Sequence, residues 1–342
     1  MTETSAIEIA GLSLSIPGPR GPRPLLLDVS LDVRPGEAVG LVGESGSGKS
    51  LTVRLLAGLQ PRHAQVHGTA RVLGRDVLNL RGRALREHRM HSIGMIFQDP
   101  RAHINPVRTV GDFLTEALIV NANVPPVEAT RRVIALLEEV GIARAEHRLR
   151  QYPHELSGGL LQRVMIAAVL AADPAVLLAD EPTTALDVTT QADVMALINR
   201  IRLRRNLAML FITHDLDLAA AVCDRISVMY AGCVVESQPV ATLLETPLHP
   251  YTRALLDSRP GLDVRLHRLP AIPGRPAAAS ETRDQCTFAP RCLHAIDECR
   301  AGRPPYVAYQ TPAATLENGT RVACVRAGKW QPSEATSDAG HG

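Results

Sequence analysis

Short apolar runs separated by stretches of helical spacing fill the first two thirds of the chain. Ala38-Val39-Gly40-Leu41-Val42 is an unbroken apolar run of strand length, and Leu51 to Leu56 after it has the pattern of a helix. Ala175 to Ala179 reads as a second buried strand, and an apolar strand also leads into Phe211-Ile212. Between Val127 and Val140 the apolar residues Val133, Ile134, Leu136, Leu137 and Val140 recur at helical spacing. Strands and helices in alternation predict an α/β fold around a parallel sheet. The longest apolar run, Val164 to Ala172, predicts a helix far short of the roughly 20 residues that span a bilayer. Beyond Glu236 the pattern weakens. Pro260 to Ala279, rich in Pro, Gly and Ala, reads as a linker, and the small polar tail 331–342 reads as disordered.

The segment between the first strand and its helix carries the chemistry. Gly43-Glu44-Ser45-Gly46-Ser47-Gly48-Lys49-Ser50 matches G-x-x-x-x-G-K-[ST], the Walker A loop. Glycines let backbone N–H groups close around a phosphate without Cβ obstruction. The lysine reaches the β- and γ-phosphates, and the hydroxyl of Ser50 binds Mg²⁺. Arginine supplies nearly all other positive charge, for Lys49 is one of only two lysines among 342 residues. The following helix, from Leu51, presents its positive end to the anion. ATP with Mg²⁺ is the expected ligand.

Two further segments fit that chemistry. Asp180 and Glu181 end the strand Ala175 to Ala179, where an acid holds Mg²⁺ and a second carboxylate is placed to polarise a water. Ser157-Gly158-Gly159 opens a helix and forms a second anion site. One nucleotide does not need two cradles in one subunit, which hints at a second molecule.

Leu156-Ser157-Gly158-Gly159-Leu160-Leu161-Gln162-Arg163 resembles the signature sequence of the ATP-binding cassette (ABC) family. The resemblance covers about residues 7 to 258. It implies a P-loop NTPase, RecA-like nucleotide-binding domain at 1–258, with an antiparallel β subdomain and an α-helical subdomain at about 99–165. It also implies two cassettes closing head to tail, so that Ser157, Gly158 and Gly159 act on the ATP held by the partner's Walker A loop. Phe97-Gln98-Asp99-Pro100 looks like the Q-loop, Ala185-Leu186-Asp187 like the D-loop, and Phe211-Ile212-Thr213-His214-Asp215 like the switch-histidine segment. The implied catalytic residues are Glu181, His214 and Gln98. The implied nucleotide-binding residues are Gly43, Glu44, Ser45, Gly46, Ser47, Gly48, Lys49, Ser50, Leu51, Gln98 and Asp180, with Ser50, Gln98 and Asp180 around Mg²⁺. The expected reaction is in-line attack of water on the γ-phosphate, with Glu181 orienting and deprotonating that water. One departure concerns adenine. The family usually places an early aromatic ring there, whereas no Phe, Tyr or Trp precedes Phe97 and Ile16 takes the position by alignment.

Composition narrows the picture further. A net charge of +2 gives no reason to expect a nucleic-acid partner, and 45% apolar residues suffice for a core. The N-terminus, Met1-Thr2-Glu3-Thr4, lacks the pattern of a signal peptide, so the expected site of action is cytosolic. There, cysteines are thiols or metal ligands rather than disulfides. Cys286, Cys292, Cys299 and Cys324 are spaced more widely than the usual structural zinc knuckles and miss the bacterial ferredoxin run. Spacing alone leaves zinc and iron–sulfur both open. Cys223 and Cys233 read as buried, inert thiols. The arginine-rich pieces Arg81 to Arg89 and Arg200 to Arg205 read as solvated helix faces.

His249-Pro250-Tyr251-Thr252, Cys286-Thr287-Phe288-Ala289-Pro290-Arg291-Cys292, Cys299 and Val322-Ala323-Cys324 resemble the C-terminal extension of oligopeptide/dipeptide permease ATP-binding subunits. Gln98-Asp99-Pro100 with Asn105-Pro106-Val107 is similar to that subfamily, while Arg101-Ala102-His103-Ile104 departs from it. The resemblance implies a four-cysteine extension at 259–330 whose Cys286, Cys292, Cys299 and Cys324 ligate a [4Fe–4S] cluster, with zinc as the alternative. It further implies the ATP-hydrolysing subunit of a bacterial importer of di- or oligopeptides, peripheral on the cytoplasmic face of the membrane. Its partners would be a second, related ATPase chain, two membrane permeases and an extracytoplasmic peptide-binding protein. Related importers of nickel and other small solutes are the runner-up. Non-transport cassette ATPases fit less well, since the insertions of DNA-repair types and the paired cassettes of translation types are absent.

Overall fold

The computed structural model describes residues 5–184, 186–258, 272–309 and 319–330. Ala185, the residues of the linker from 260 to 271, and the tail 331–342 lie outside the described residues.

Twelve strands form two sheets among the described residues: β1 (Ile7–Ile16), β2 (Arg23–Val33), β3 (Ala38–Val42), β4 (Gln65–Val72), β5 (Arg75–Asp76), β6 (Ile93–Ile96), β7 (Val176–Asp180), β8 (Ala208–Thr213), β9 (Arg225–Tyr230), β10 (Cys233–Pro239), β11 (Val307–Ala308) and β12 (Arg321–Val322). The first sheet is antiparallel, in the order β2-β1-β4-β5. The second runs β11-β12-β10-β9-β3-β8-β7-β6, and its strands from β9 to β6 are parallel. The expected α/β class with an antiparallel β unit is therefore what the chain adopts.

The helices are α1 (Lys49–Leu56), α2 (Gly82–His91), α3 (Val110–Glu116), α4 (Pro126–Glu139), α5 (Ala145–Leu149), α6 (Gly158–Leu170), α7 (Val188–Arg205), α8 (Leu216–Val222), α9 (Val240–Glu245), α10 (Pro250–Asp257) and α11 (Asp297–Ala301). No described helix is long and apolar enough to cross a membrane. The period of α4 explains its burial: Ala129, Val133 and Leu137, four residues apart, are fully covered, while Val127 at its start is exposed.

Alternation along the parallel strands divides the interior. In β8, Ala208, Leu210 and Ile212 enter one core with the antiparallel sheet, while Met209 and Phe211 enter the other with α4, α6 and α7. In β7, Val176 and Leu178 split from Leu177 and Ala179 in the same way. Both faces of these strands are buried, which is why they read as continuous apolar runs rather than alternating ones.

The C-terminal residues extend this framework. β12 pairs with β10, Glu236 opposite Val322, and lengthens the main sheet. Phe288 packs edge-on against Tyr230 and tilted against Tyr251, at centroid distances of 5.3 and 5.2 Å. In a chain with few aromatics, three of them join the extension to β9 and α10.

The arginine-rich pieces are less solvated than their composition suggests. Arg202 is 5% exposed and donates to the Gly36 carbonyl and Asp224. Arg205 binds Glu139 and Asp173, and Arg89 donates to the carbonyls of Ala57 and Gly58. Local composition cannot reveal acceptors supplied by other elements. Cys223 and Cys233 are buried thiols as expected; burial raises both pKa values, that of Cys233 to about 11.

Candidate functional site

In an open parallel sheet, side chains leaving the carboxyl ends of neighbouring strands converge. Here β6, β7, β8 and β3 deliver Gln98, Asp180-Glu181, His214 and the loop 43–50 to one end of the sheet. A cavity of about 620 Å³ opens there, lined by Leu25, Ser45, Gly46, Gly48, Lys49, Ser50, Leu51, Gln98, Glu181 and His214.

The loop is built without room for side chains. A Cβ on Gly43 would collide with the Met229 carbonyl oxygen of β9. Gly48 caps α1 at φ 108°, a left-handed conformation that glycine adopts freely. Lys49 donates to the carbonyls of Gly43 (2.7 Å) and Glu44 (3.0 Å). Burial lowers its pKa, although Glu181, Asp180 and Glu44 pull it back upward. Ser47 is buried, and its carbonyl accepts from Gly232 N–H.

The Ser50 hydroxyl donates to Asp180 Oδ1 at 2.6 Å. Burial raises the Asp180 pKa, against the opposing hydrogen bond from Ser50. A hydroxyl and a buried carboxylate in contact are the hard oxygen donors that Mg²⁺ takes, and they fit it. Glu181 follows Asp180 with φ 48°, a rare backbone conformation costing on the order of 1–3 kcal/mol that turns its side chain toward the cavity. Its carboxylate receives Gln98 Nε2 at 3.3 Å and the Thr184 hydroxyl at 3.0 Å, and lies 3.4 Å from His214 Nδ1. Catalytic candidates more than 80 residues apart in the chain thus meet on one carboxylate.

Ser157, Gly158 and Gly159 do not line this cavity. Ser157 caps α6 by accepting from Leu160 N–H, and a Cβ on Gly159 would clash with Thr190 of α7. Asp187 in turn caps α7 and holds the Thr190 hydroxyl. The second anion cradle and the Asp187 turn are therefore packed together, apart from the first cradle.

Ile16 is half-buried against the core under the antiparallel sheet, as is Leu25 of β2, and of the two only Leu25 lines the cavity. Sequence reasoning also missed Thr184, Tyr251 and Arg291. Thr184 was within reach, three residues beyond Glu181. Tyr251 accepts the Glu44 N–H, and Arg291 binds the Glu44 carboxylate across 247 residues of sequence, for which no local signal exists.

The four cysteines of the extension gather in one region. Burial first, then Cys286, Cys292 and Cys299, push the Cys324 thiol up to about 12. Backbone N–H groups of Phe288 and Ala289 address Cys286, as those of His294 and Arg326 address Cys292 and Cys324. Yet among the described residues no group of three or more His, Cys, Asp or Glu side chains is arranged to hold a metal ion.

This fold, with its glycine-rich loop at the carboxyl ends of parallel strands, defines a P-loop nucleotide-binding domain. The "ABC transporter" family model matches residues 26–184, and the "oligopeptide/dipeptide transporter, C-terminal region" model matches residues 235–299. The chain is 41% identical over 303 residues to the oligopeptide transport ATP-binding protein OppD of Salmonella typhimurium, covering 89% of this chain and 90% of the relative. It is 42% identical to OppD of Mycobacterium tuberculosis over 94% of this chain and 52% of that longer protein. Among solved structures, a dimeric ATP-binding cassette in a post-hydrolysis state with ADP and Pi superposes with a TM-score of 0.61 at 26% identity, over 68% of this chain and 98% of that one. The chain belongs to the ABC transporter ATP-binding proteins, in the branch with the oligopeptide/dipeptide transporter C-terminal region. It is an ABC-type ATPase.

Proposed function

We propose that this chain is the ATP-hydrolysing subunit of a bacterial importer of di- or oligopeptides. It works on the cytoplasmic face of the membrane beside two permeases and a second cassette, a related chain, with substrate delivered by an extracytoplasmic peptide-binding protein. The meeting of Gln98, Thr184 and His214 on Glu181, beside the Ser50–Asp180 pair, carries the hydrolytic reading. Kinship over nine tenths of an oligopeptide transport ATP-binding protein supports the cargo.

In this reading Lys49 and the backbone N–H groups of residues 45–50 bind and orient the phosphates. Ser50 and Asp180 hold Mg²⁺, with Gln98 beside them, and the ion supplies charge neutralisation at the phosphoryl oxygens. Glu181 accepts the proton of the attacking water, while Gln98 and His214 keep its carboxylate turned inward. Ser157, Gly158 and Gly159 serve the nucleotide of the partner cassette, consistent with their distance from this chain's own cavity. An apolar groove of about 330 Å³, lined by Leu59, Met95, Phe97, Val169 and others, adjoins Gln98 and suits a permease segment.

The donor set of Cys286, Cys292, Cys299 and Cys324, four thiols in one region of the extension, supports a [4Fe–4S] cluster, with zinc as the alternative. Iron, sulfide and zinc analysis of anaerobically purified protein tests it; zinc without iron reverses it, and protein with no metal rejects both.

The decisive test is uptake of labelled di- and oligopeptides by cells lacking this chain, complemented with wild type or Glu181→Gln. Rescue by wild type alone is expected. If neither alters peptide uptake while the purified protein hydrolyses ATP, the cargo is wrong and nickel is tried next.

A further inference from the structure

Glu44 occupies an awkward place. It is a carboxylate inside a loop whose task is to gather the negative charge of a triphosphate, and like charges at such range oppose binding. Three contacts fix it. Its N–H donates to the Tyr251 hydroxyl at 3.0 Å, its carbonyl receives Lys49 Nζ at 3.0 Å, and its carboxylate receives a two-pronged Arg291 guanidinium. The prongs are Nη1 to Oε2 at 2.7 Å and Nη2 to Oε1 at 3.2 Å.

Arg291 is itself held rigidly. Its Nε donates to the Pro273 carbonyl at 2.7 Å, Nη2 to the Ile272 carbonyl at 3.1 Å, and Nη1 to the Tyr230 hydroxyl at 3.3 Å. With its side chain only 5% exposed and its guanidinium 5.8 Å from the Tyr230 ring centre, it is a fixed charge and not a mobile surface arginine. The planar fork matches a carboxylate in a way lysine does not.

We propose that Arg291, carried by the cysteine-bearing extension, is a positioning residue for the phosphate loop: it neutralises and anchors Glu44 so that the loop accepts the phosphates of ATP. The inference rests on the assignment of the loop 43–50 as the ATP site. The extension is then part of the nucleotide site of this chain, and Cys292, the next residue, is linked to that site through one side chain.

Titration of the full-length chain with a fluorescent ATP analogue, competed by ATP, tests this by epistasis. Arg291→Ala is expected to weaken ATP binding about tenfold, while Arg291→Lys, which keeps the charge and loses the fork, falls between it and wild type. Glu44→Gln removes the carboxylate, so Arg291→Ala in that background should bind within about twofold of Glu44→Gln alone. A merely structural contact would lower thermal stability in both backgrounds without this relief. The inference is overturned if Arg291→Ala binds ATP like wild type, or if its defect persists undiminished with Glu44→Gln. Should Arg291→Ala not fold, the same comparison is made with Arg291→Lys. Lys49→Ala serves as the control. If it abolishes binding and the Arg291 variants do not change it, this inference alone fails; if Lys49→Ala binds normally, the assignment of the ATP site fails with it.

Discussion

Two glutamates lie at the candidate phosphate site and are held in opposite ways. Glu44 is gripped at its N–H, carbonyl and carboxylate, with its nearest charged contact at 2.7 Å to a buried arginine. Glu181 makes contacts of 3.0 to 3.4 Å to a threonine, a glutamine and a histidine whose side chain is 60% exposed. Charge-assisted hydrogen bonds settle at about 2.7–2.9 Å when geometry is fixed. The cradle that binds phosphate is thus completed within one chain. The apparatus that would break the phosphate bond is gathered but slack, as reacting groups are before a substrate closes them. Binding and hydrolysis should therefore respond differently to substitution.

The sharpest break in that contrast is Glu181→Gln. Loss of a general base is expected to lower the rate of hydrolysis by about 10²–10⁴-fold, while ATP affinity stays within about twofold, since uniform binding does not use the base. Single-turnover hydrolysis and ATP titration separate the two. Near-normal turnover would move the base to another residue.

On the rigid side, Gly43→Ala should do the reverse and damage the cradle. The added methyl meets the Met229 backbone oxygen, which cannot step aside as a flexible side chain would. Overpacking of this kind costs about 1–3 kcal/mol, read as a lower urea midpoint together with weakened ATP binding. A variant as stable as wild type would mean that the loop is softer than its contacts imply.

The same division marks what could be read from sequence. Strand, loop and helix around Lys49 are contiguous, and both faces of β3, β7 and β8 are buried, so local pattern sufficed for them. Glu181, Gln98 and His214 were legible because each ends a strand of one parallel sheet, where topology makes neighbours of distant residues. Arg291 and Tyr251 were not legible as parts of the site, since they reach Glu44 only after β12 joins β10 and Phe288 packs on Tyr230. Leu25 was not legible because an aliphatic residue in a strand carries no local sign that it faces a cavity. Arg202 was misread because its acceptors, Gly36 and Asp224, lie on other elements.

Acid should loosen the rigid side. His249 opens α10, and its Nδ1 accepts the Tyr251 N–H at 3.0 Å, so the ring must be neutral for the cap to form. Burial lowers its pKa to about 3, against roughly 6.5 in the unfolded chain. As pH falls below that unfolded value the unfolded chain takes up the proton first. Stability from this residue is complete above it and declines by up to about 1.4 kcal/mol per pH unit until the folded pKa is reached. Buried Glu236, which accepts the His249 N–H and whose pKa burial raises, works in the opposite sense and is common to both proteins compared. His249→Asn keeps a capping oxygen and removes the titration. Unfolding curves at several pH values between 7 and 5 should show wild type losing stability relative to the variant; parallel curves would mean that the ring is not the titrating group.

The smallest expected effect concerns the base of the nucleotide. Leu25 lines the cavity from β2, and a leucine offers contact area without a π face. Leu25→Tyr should strengthen ATP binding by about 0.5–1.5 kcal/mol, roughly two- to tenfold, and GTP binding alike, since every base offers a π face. Ile16→Tyr, at a half-buried position outside the cavity lining, should change neither. Competition of ATP and GTP for the same fluorescent analogue reads both. If the two tyrosine variants behave alike, the adenine lies away from β2. The phosphates alone would then hold the nucleotide, and the rigid cradle around Glu44 would carry nearly all of the affinity.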